Sequence, residues 1–179
     1  MSPNQQYILT EGIDSTLTLL SPEGELLAKF DDPTAPIHIS GIDPQGQHLA
    51  LGVKDHSIHL YNFERRETQV LRGHQAEIIG LAFSSDGKSL LSTAKDGMVR
   101  LWDLHGNLLL EVKLGNTSVP IAAIFSPDGK KIIAASNDNQ TLLECPTPEA
   151  AMAILTRQAA SLLPKIEQLK QNYNIQFVE

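Results

Sequence analysis

The chain has 179 residues, a formal net charge of −7, 41% hydrophobic and 20% charged residues, and one cysteine. This is the composition of an ordinary globular domain, long enough to bury a core, and it excludes a disordered, collagenous or disulfide-stapled chain. The acidic balance repels phosphate backbones and anionic lipid heads, so neither nucleic acid nor a membrane is expected as a partner. No apolar run approaches the roughly 20 residues of a spanning helix, and residues 1–6 show no export signal. With Cys145 alone no internal disulfide can form, and a cytoplasmic location is expected.

A repeat organises the rest. Asp14, Asp55, Asp96 and Asp138 stand 41, 41 and 42 residues apart, and Gly46, Gly87 and Gly129 close turns at the same period. In chain order, the first unit reads as three strands near 7–10, 16–20 and 26–30, with a turn at Ser21-Pro22-Glu23-Gly24. The second reads as four, at 37–42, 48–53, 57–61 and 68–71, and the third as four, at 78–83, 89–94, 98–102 and 108–114. The last has three and ends near Cys145. Short runs bounded by Gly, Pro and Asp are hairpin chemistry, so each unit is a meander of up to four strands. Ile121-Ala122-Ala123-Ile124-Phe125 and Ile132-Ile133-Ala134-Ala135 are apolar on both faces, which places such strands between neighbouring sheets.

The pattern changes at Pro146-Thr147-Pro148-Glu149, where Thr147 can cap a helix, Pro148 suits its first position and Glu149 its positive end. Met152, Leu155, Ala159, Leu162, Ile166, Leu169 and Tyr173 then step by three and four, an amphipathic seam that Pro164 should kink. The seam either packs over an open sheet or docks another subunit. Asn174-Ile175-Gln176-Phe177-Val178 alternates and could add a late strand. The expected division is therefore 1–145 for the repeats and 146–179 for a helical appendage.

Little points to catalysis. A repeat hands out equivalent carboxylates one per unit, whereas acid–base work needs two groups converging on one point. His56 and His59 fall on opposite faces of their strand, Cys145 has no histidine beside it, and no phosphate loop, zinc spacing or nucleophile elbow occurs. No metal, cofactor or small-molecule substrate is expected.

The third unit resembles a WD40 repeat. Leu71-Arg72-Gly73-His74, Leu81-Ala82-Phe83-Ser84-Ser85-Asp86-Gly87-Lys88 and Lys95-Asp96-Gly97-Met98-Val99-Arg100-Leu101-Trp102-Asp103 match that family's Gly-His, turn and Trp-Asp signatures in order. The likeness extends over roughly 6–145 and implies an all-β fold of about four β-propeller blades in an incomplete ring, with the C-terminal amphipathic helix appended. It implies a structural network at Asp14, Asp55, His74, Asp96, Trp102 and Asp138. That network is degraded where Tyr61, Leu20 and Glu144 replace the tryptophan, where Gly115-Asn116 replaces Gly-His, and where Ala94 takes the place usual for a hydroxyl. The family further implies a non-catalytic protein-interaction scaffold that gains its missing blades from a longer polypeptide, another subunit or a second copy. The alternative is a sensing module of a larger effector enzyme. Partner contacts are expected at Lys54, Gln75, Glu77, Lys95 and Asn137 on the loop face, and at Leu155, Leu162, Ile166 and Leu169 on the helix.

Overall fold

Local turn chemistry reverses the chain. At Ser84 the hydroxyl donates to Asp86 Oδ1 (2.6 Å) and accepts from Ser89 N (3.0 Å), while Gly87 N donates to Ser84 O. Ser126 repeats this with Asp128 and Lys131. In the second unit Asp43 does the work instead, its Oδ1 accepting from Gln47 N and His48 N. Such side-chain-to-backbone bonds satisfy amides that a tight turn would leave without partners.

The computed structural model describes residues 2, 4–12, 16–30, 37–114, 119–137 and 142–151. They form four antiparallel sheets. Blade 1 holds β1 (Ile8–Glu11), β2 (Leu17–Leu20) and β3 (Leu26–Phe30), and blade 2 holds β4 (Ile37–Ile42), β5 (His48–Val53), β6 (Ile58–Asn62) and β7 (Glu67–Leu71). Blade 3 holds β8 (Ile78–Phe83), β9 (Ser89–Ala94), β10 (Met98–Asp103) and β11 (Leu108–Lys113), and blade 4 holds β12 (Pro120–Phe125), β13 (Lys131–Ser136) and β14 (Leu142–Pro146). The sheets converge along their first strands, where β8 packs against both β4 and β12. By repeat position, blade 1 lacks this inner strand and blade 4 lacks the outermost one among the described residues.

Three apolar clusters glue the blades face to face. Leu17 and Phe30 meet Leu49, Leu51 and Tyr61 between blades 1 and 2. Ala50, Ile58 and Leu60 meet Ile78, Leu90 and Trp102 between blades 2 and 3. Leu91, Val99 and Leu101 meet Ile132, Ala134 and Cys145 between blades 3 and 4. A polar ladder follows the same stacking: Asn4 Nδ2 donates to Gln45 O (2.8 Å), and Gln45 Nε2 to Ser85 O (3.4 Å). Gly46 (φ 71°) and Gly87 (φ 69°) lie under these amides, and a Cβ at either would strike Asn4 or Gln45. Only glycine supplies both the positive φ and the clearance.

The strand expectations hold in number and order, with ends displaced by a residue in β1, β2, β6, β7, β10 and β11. The last blade departs further. Trp102 lies opposite Leu90, but the residue opposite the equivalent Ile132 is Cys145, not Glu144, because that hairpin is one residue longer. Cys145 thus fills the tryptophan's place. Residues 148–151 are helical, with Ala151 N bonded to Thr147 O (2.8 Å). Asp14, Asp138, Leu155, Leu162, Ile166, Leu169 and the strand expected at 174–178 lie outside the described residues. Among the described residues no helix is long and apolar enough to cross a membrane.

Candidate binding rim and the network beneath it

Strand direction decides which loops share an end. The hairpin turns after β5, β9 and β13 and the loop between β7 and β8 all emerge on one rim, since strands alternate in direction within each blade. Lys54, Lys95 and Asn137 occupy one repeat position there, 41 and 42 residues apart. Gln75 and Glu77 stand in the adjoining loop. Lys95 Nζ pairs with Glu77 Oε2 at 2.6 Å, and Lys95 N donates to Glu77 O. Asn137 Oδ1 accepts from Val119 N (3.1 Å). Lys54 is exposed.

Beneath this rim, blade 3 carries a buried polar network. Asp96 Oδ1 accepts from Met98 N (2.9 Å), and Oδ2 accepts from Gln75 N (3.0 Å) and lies 2.9 Å from His74 Nδ1. His74 Nε2 and Trp102 Nε1 both reach Ser92 Oγ at 2.9 Å. The sheet brings these groups together: Ser92 and Arg100 are register partners on β9 and β10, with Trp102 two residues along on the same face. The hydroxyl judged missing at Ala94 is therefore supplied by Ser92. Arg100 was also not foreseen. It is 6% exposed, it bonds Asp96 Oδ2 (3.1 Å) and, through Nε, Glu111 Oε2 (2.6 Å), and its Nη1 lies 2.6 Å from His74 Nδ1.

The electrostatics follow from burial. Desolvation pushes the His74 pKa below its ordinary value, against the pull of Asp96 and with the help of the Arg100 charge. Burial pushes the Asp96 carboxyl up, yet the hydrogen bonds from Gln75 N, His74 and Met98 N outweigh it and hold the group below the usual carboxylate range. Asp55, at the same position in blade 2, is more open: Ser57 Oγ (2.5 Å) lowers its pKa most, with Ser57 N and Arg72 adding to the effect. Burial raises the thiol pKa of Cys145, the reverse of what a nucleophilic thiolate requires.

The opposite rim carries a feature absent from the sequence expectations, a cleft of about 380 Å³ between blades 2 and 3 lined by His48, Asn62, Arg65, Glu67, Gln69 and His105. Asn62 Oδ1 accepts from Arg65 N, so its Nδ2 donates to His48 Nε2 (2.8 Å), and His48 Nδ1 donates to Asp43 (3.2 Å). Both ring nitrogens are committed to the fold. Among the described residues no cluster of three or more His, Cys, Asp or Glu side chains is placed to hold a metal.

The stacked meanders and the network residues coincide with a known pattern: residues 65–103 match the family model described as WD domain, G-beta repeat. The chain is a WD40-repeat protein. It is 31% identical to WD repeat-containing protein 82 of Drosophila melanogaster, over 78% of this chain and 47% of that protein. It is 34% identical to an uncharacterised WD repeat-containing protein of Synechocystis, over 76% of this chain and 40% of the relative. A periodic tryptophan protein 2 homolog of Schizosaccharomyces pombe is 31% identical over 60% of this chain and 13% of its own length. The chain thus spans less than half the length of these relatives. WD40 domains generally mediate protein–protein contacts, and the matched stretch runs from the outer strand of blade 2, β7, through the first three strands of blade 3, β8 to β10.

Proposed function

We propose that this WD40 chain is a non-catalytic, cytoplasmic interaction scaffold that binds a protein partner on the rim bearing Lys54, Gln75, Glu77, Lys95 and Asn137, and that it completes its ring with another subunit or a second copy. The observation that carries this reading is the coupling of rim to core. Asp96 and His74 hold Gln75 and the turn beside Lys95 through a buried network whose groups are satisfied by one another, leaving the rim rigid and its side chains outward. A rigid rim presents contacts at little ordering cost on binding. On sequence grounds, the appendage at 146–179 offers Leu155, Leu162, Ile166 and Leu169 as a second contact for a neighbouring subunit.

The test compares partners recovered from source cells by the wild type and by a Lys54→Glu/Lys95→Glu double variant, quantified by mass spectrometry. Loss of a specific partner from the variant, with its β circular dichroism intact, supports the rim. Equal recovery of every partner overturns it.

A further inference from the structure

Among the described residues, each of the two end blades leaves one face uncovered. On blade 4 the face turned away from blade 3 carries Ala122, Ile124, Ile133 and Ala135, with Ile124 56% exposed. On blade 1 the face turned away from blade 2 carries Ile8, Thr10, Thr18 and Leu20. The repeat frame relates both to interfaces already formed within the chain. Ile124, Ile133 and Ala135 lie 42 residues after Ala82, Leu91 and Thr93, the side of blade 3 that meets blade 4. Ile8 and Leu20 lie 82 residues before Leu90 and Trp102, the side of blade 3 that meets blade 2. The chain therefore carries both halves of an inter-blade junction, and among the described residues nothing covers either.

We propose that these halves close on a second copy of this chain, head to tail: the last face of each copy packs on the first face of the other, at two equivalent junctions, making an eight-bladed ring. This deepens the scaffold reading and rests on it. The established junctions match bulk to hollow. Trp102 shares its cluster with Ala50, whereas the small Cys145 and Ala134 share theirs with Leu91 and Leu101. At the open ends the exposed Ile124 stands on one face, while Thr10 and Thr18 are the small residues of the other. A heterologous contact of this kind either closes into a ring or runs on as a filament, and the ring leaves no blade face exposed.

Light scattering on the full chain reads the assembly directly. The wild type is expected at twice the 19.6 kDa chain mass. Ile124→Glu and Leu20→Glu are each expected to halve that mass with unchanged β circular dichroism and Trp102 fluorescence. Mixing the two variants restores a dimer, because the intact last face of one meets the intact first face of the other, whereas neither variant alone recovers. A monomeric wild type, as when residues 152–179 or an unrelated subunit cover the faces, overturns the proposal. So do a mass that climbs with concentration without a plateau and a mixture that stays monomeric. The Lys54→Glu/Lys95→Glu variant keeps the dimer mass, so failure of the rim and failure of the ring are separable.

Discussion

Blades 2 and 3 have the same four-strand order and closely matching registers, yet different chemistry holds each to the blade before it. Blade 3 uses a polar chain of Trp102, Ser92, His74, Asp96 and Arg100. In blade 2 the equivalent positions are Leu51, Tyr61, Asp55 and His59, and an aromatic group takes over. Tyr61 packs edge-on against Phe30 (5.2 Å between ring centres) and Phe63 (5.5 Å), and Phe63 stacks on Tyr7 (5.0 Å). The strands themselves depend on alternation and turn residues, which both blades share. The polar network is one way of fastening a blade, and it makes that blade sensitive to the loss of any single member.

The largest expected difference follows. Asp96→Ala removes the acceptor of two backbone amides and leaves the Arg100 guanidinium and the His74 ring short of a partner in a site where their side chains are 7% and 1% exposed. Breaking such a buried charged group costs about 3–5 kcal/mol. Asp55→Ala removes a carboxylate that is 42% exposed and chiefly supports the Ser57 turn, and costs about 1 kcal/mol. Urea unfolding of the two variants measures the contrast. Equal losses mean that the network contributes no more than the turn.

A second contrast is in pH. His74 is held below its ordinary value of about 6.5 in the folded chain, so as pH falls through that value the unfolded chain takes up a proton that the folded chain refuses. The stability it lends is complete above about pH 6.5 and declines below it, at no more than about 1.4 kcal/mol per pH unit. Asp96, also lowered, adds its own decline only below about pH 4, where the unfolded carboxylate begins to protonate. Replacing His74 by Gln is expected to flatten the slope between pH 7 and 5, read from urea midpoints. A slope that persists in that variant assigns it to another histidine.

Which parts of this were readable beforehand follows from the range of the interactions. The fourteen strands of the described residues and their division into sheets rest on alternation and on turns such as Ser84-Ser85-Asp86-Gly87, all local in sequence. Ser92 was overlooked in favour of Ala94 because counting from the Asp96 turn does not reveal which hydroxyl faces Trp102; the β9–β10 register does. Cys145 was displaced by Glu144 for the same reason, one residue of hairpin length that spacing cannot locate. Arg100 reads in sequence as an ordinary exposed strand position. Lys54, Lys95 and Asn137 could be grouped because they recur at the repeat period, whereas the cleft lined by His48 and His105 is made by two blades and needed their stacking.

The smallest effect isolates a single backbone angle. The turn after Asp96 passes through Gly97 at φ 82°, and the matching turn in blade 2 passes through His56 at φ 69°. A side chain in this left-handed region costs about 1 kcal/mol that glycine does not incur, and the buried Nδ1 of His56 has no hydrogen-bond partner among the described residues. Glycine's extra freedom in the unfolded chain offsets part of the gain. His56→Gly is therefore expected to stabilise the fold by about 0.5 kcal/mol, a rise of roughly 1–2 °C in the midpoint of thermal unfolding for a chain of this size. The same substitution leaves blade 3 untouched, so the separate effects of Asp96→Ala and His74→Gln should keep their magnitudes in the His56→Gly background, as expected for distant sites, whereas that of Asp55→Ala, in the same turn, need not. A fall in the midpoint shows instead that the His56 ring contributes more through packing than its backbone loses through strain.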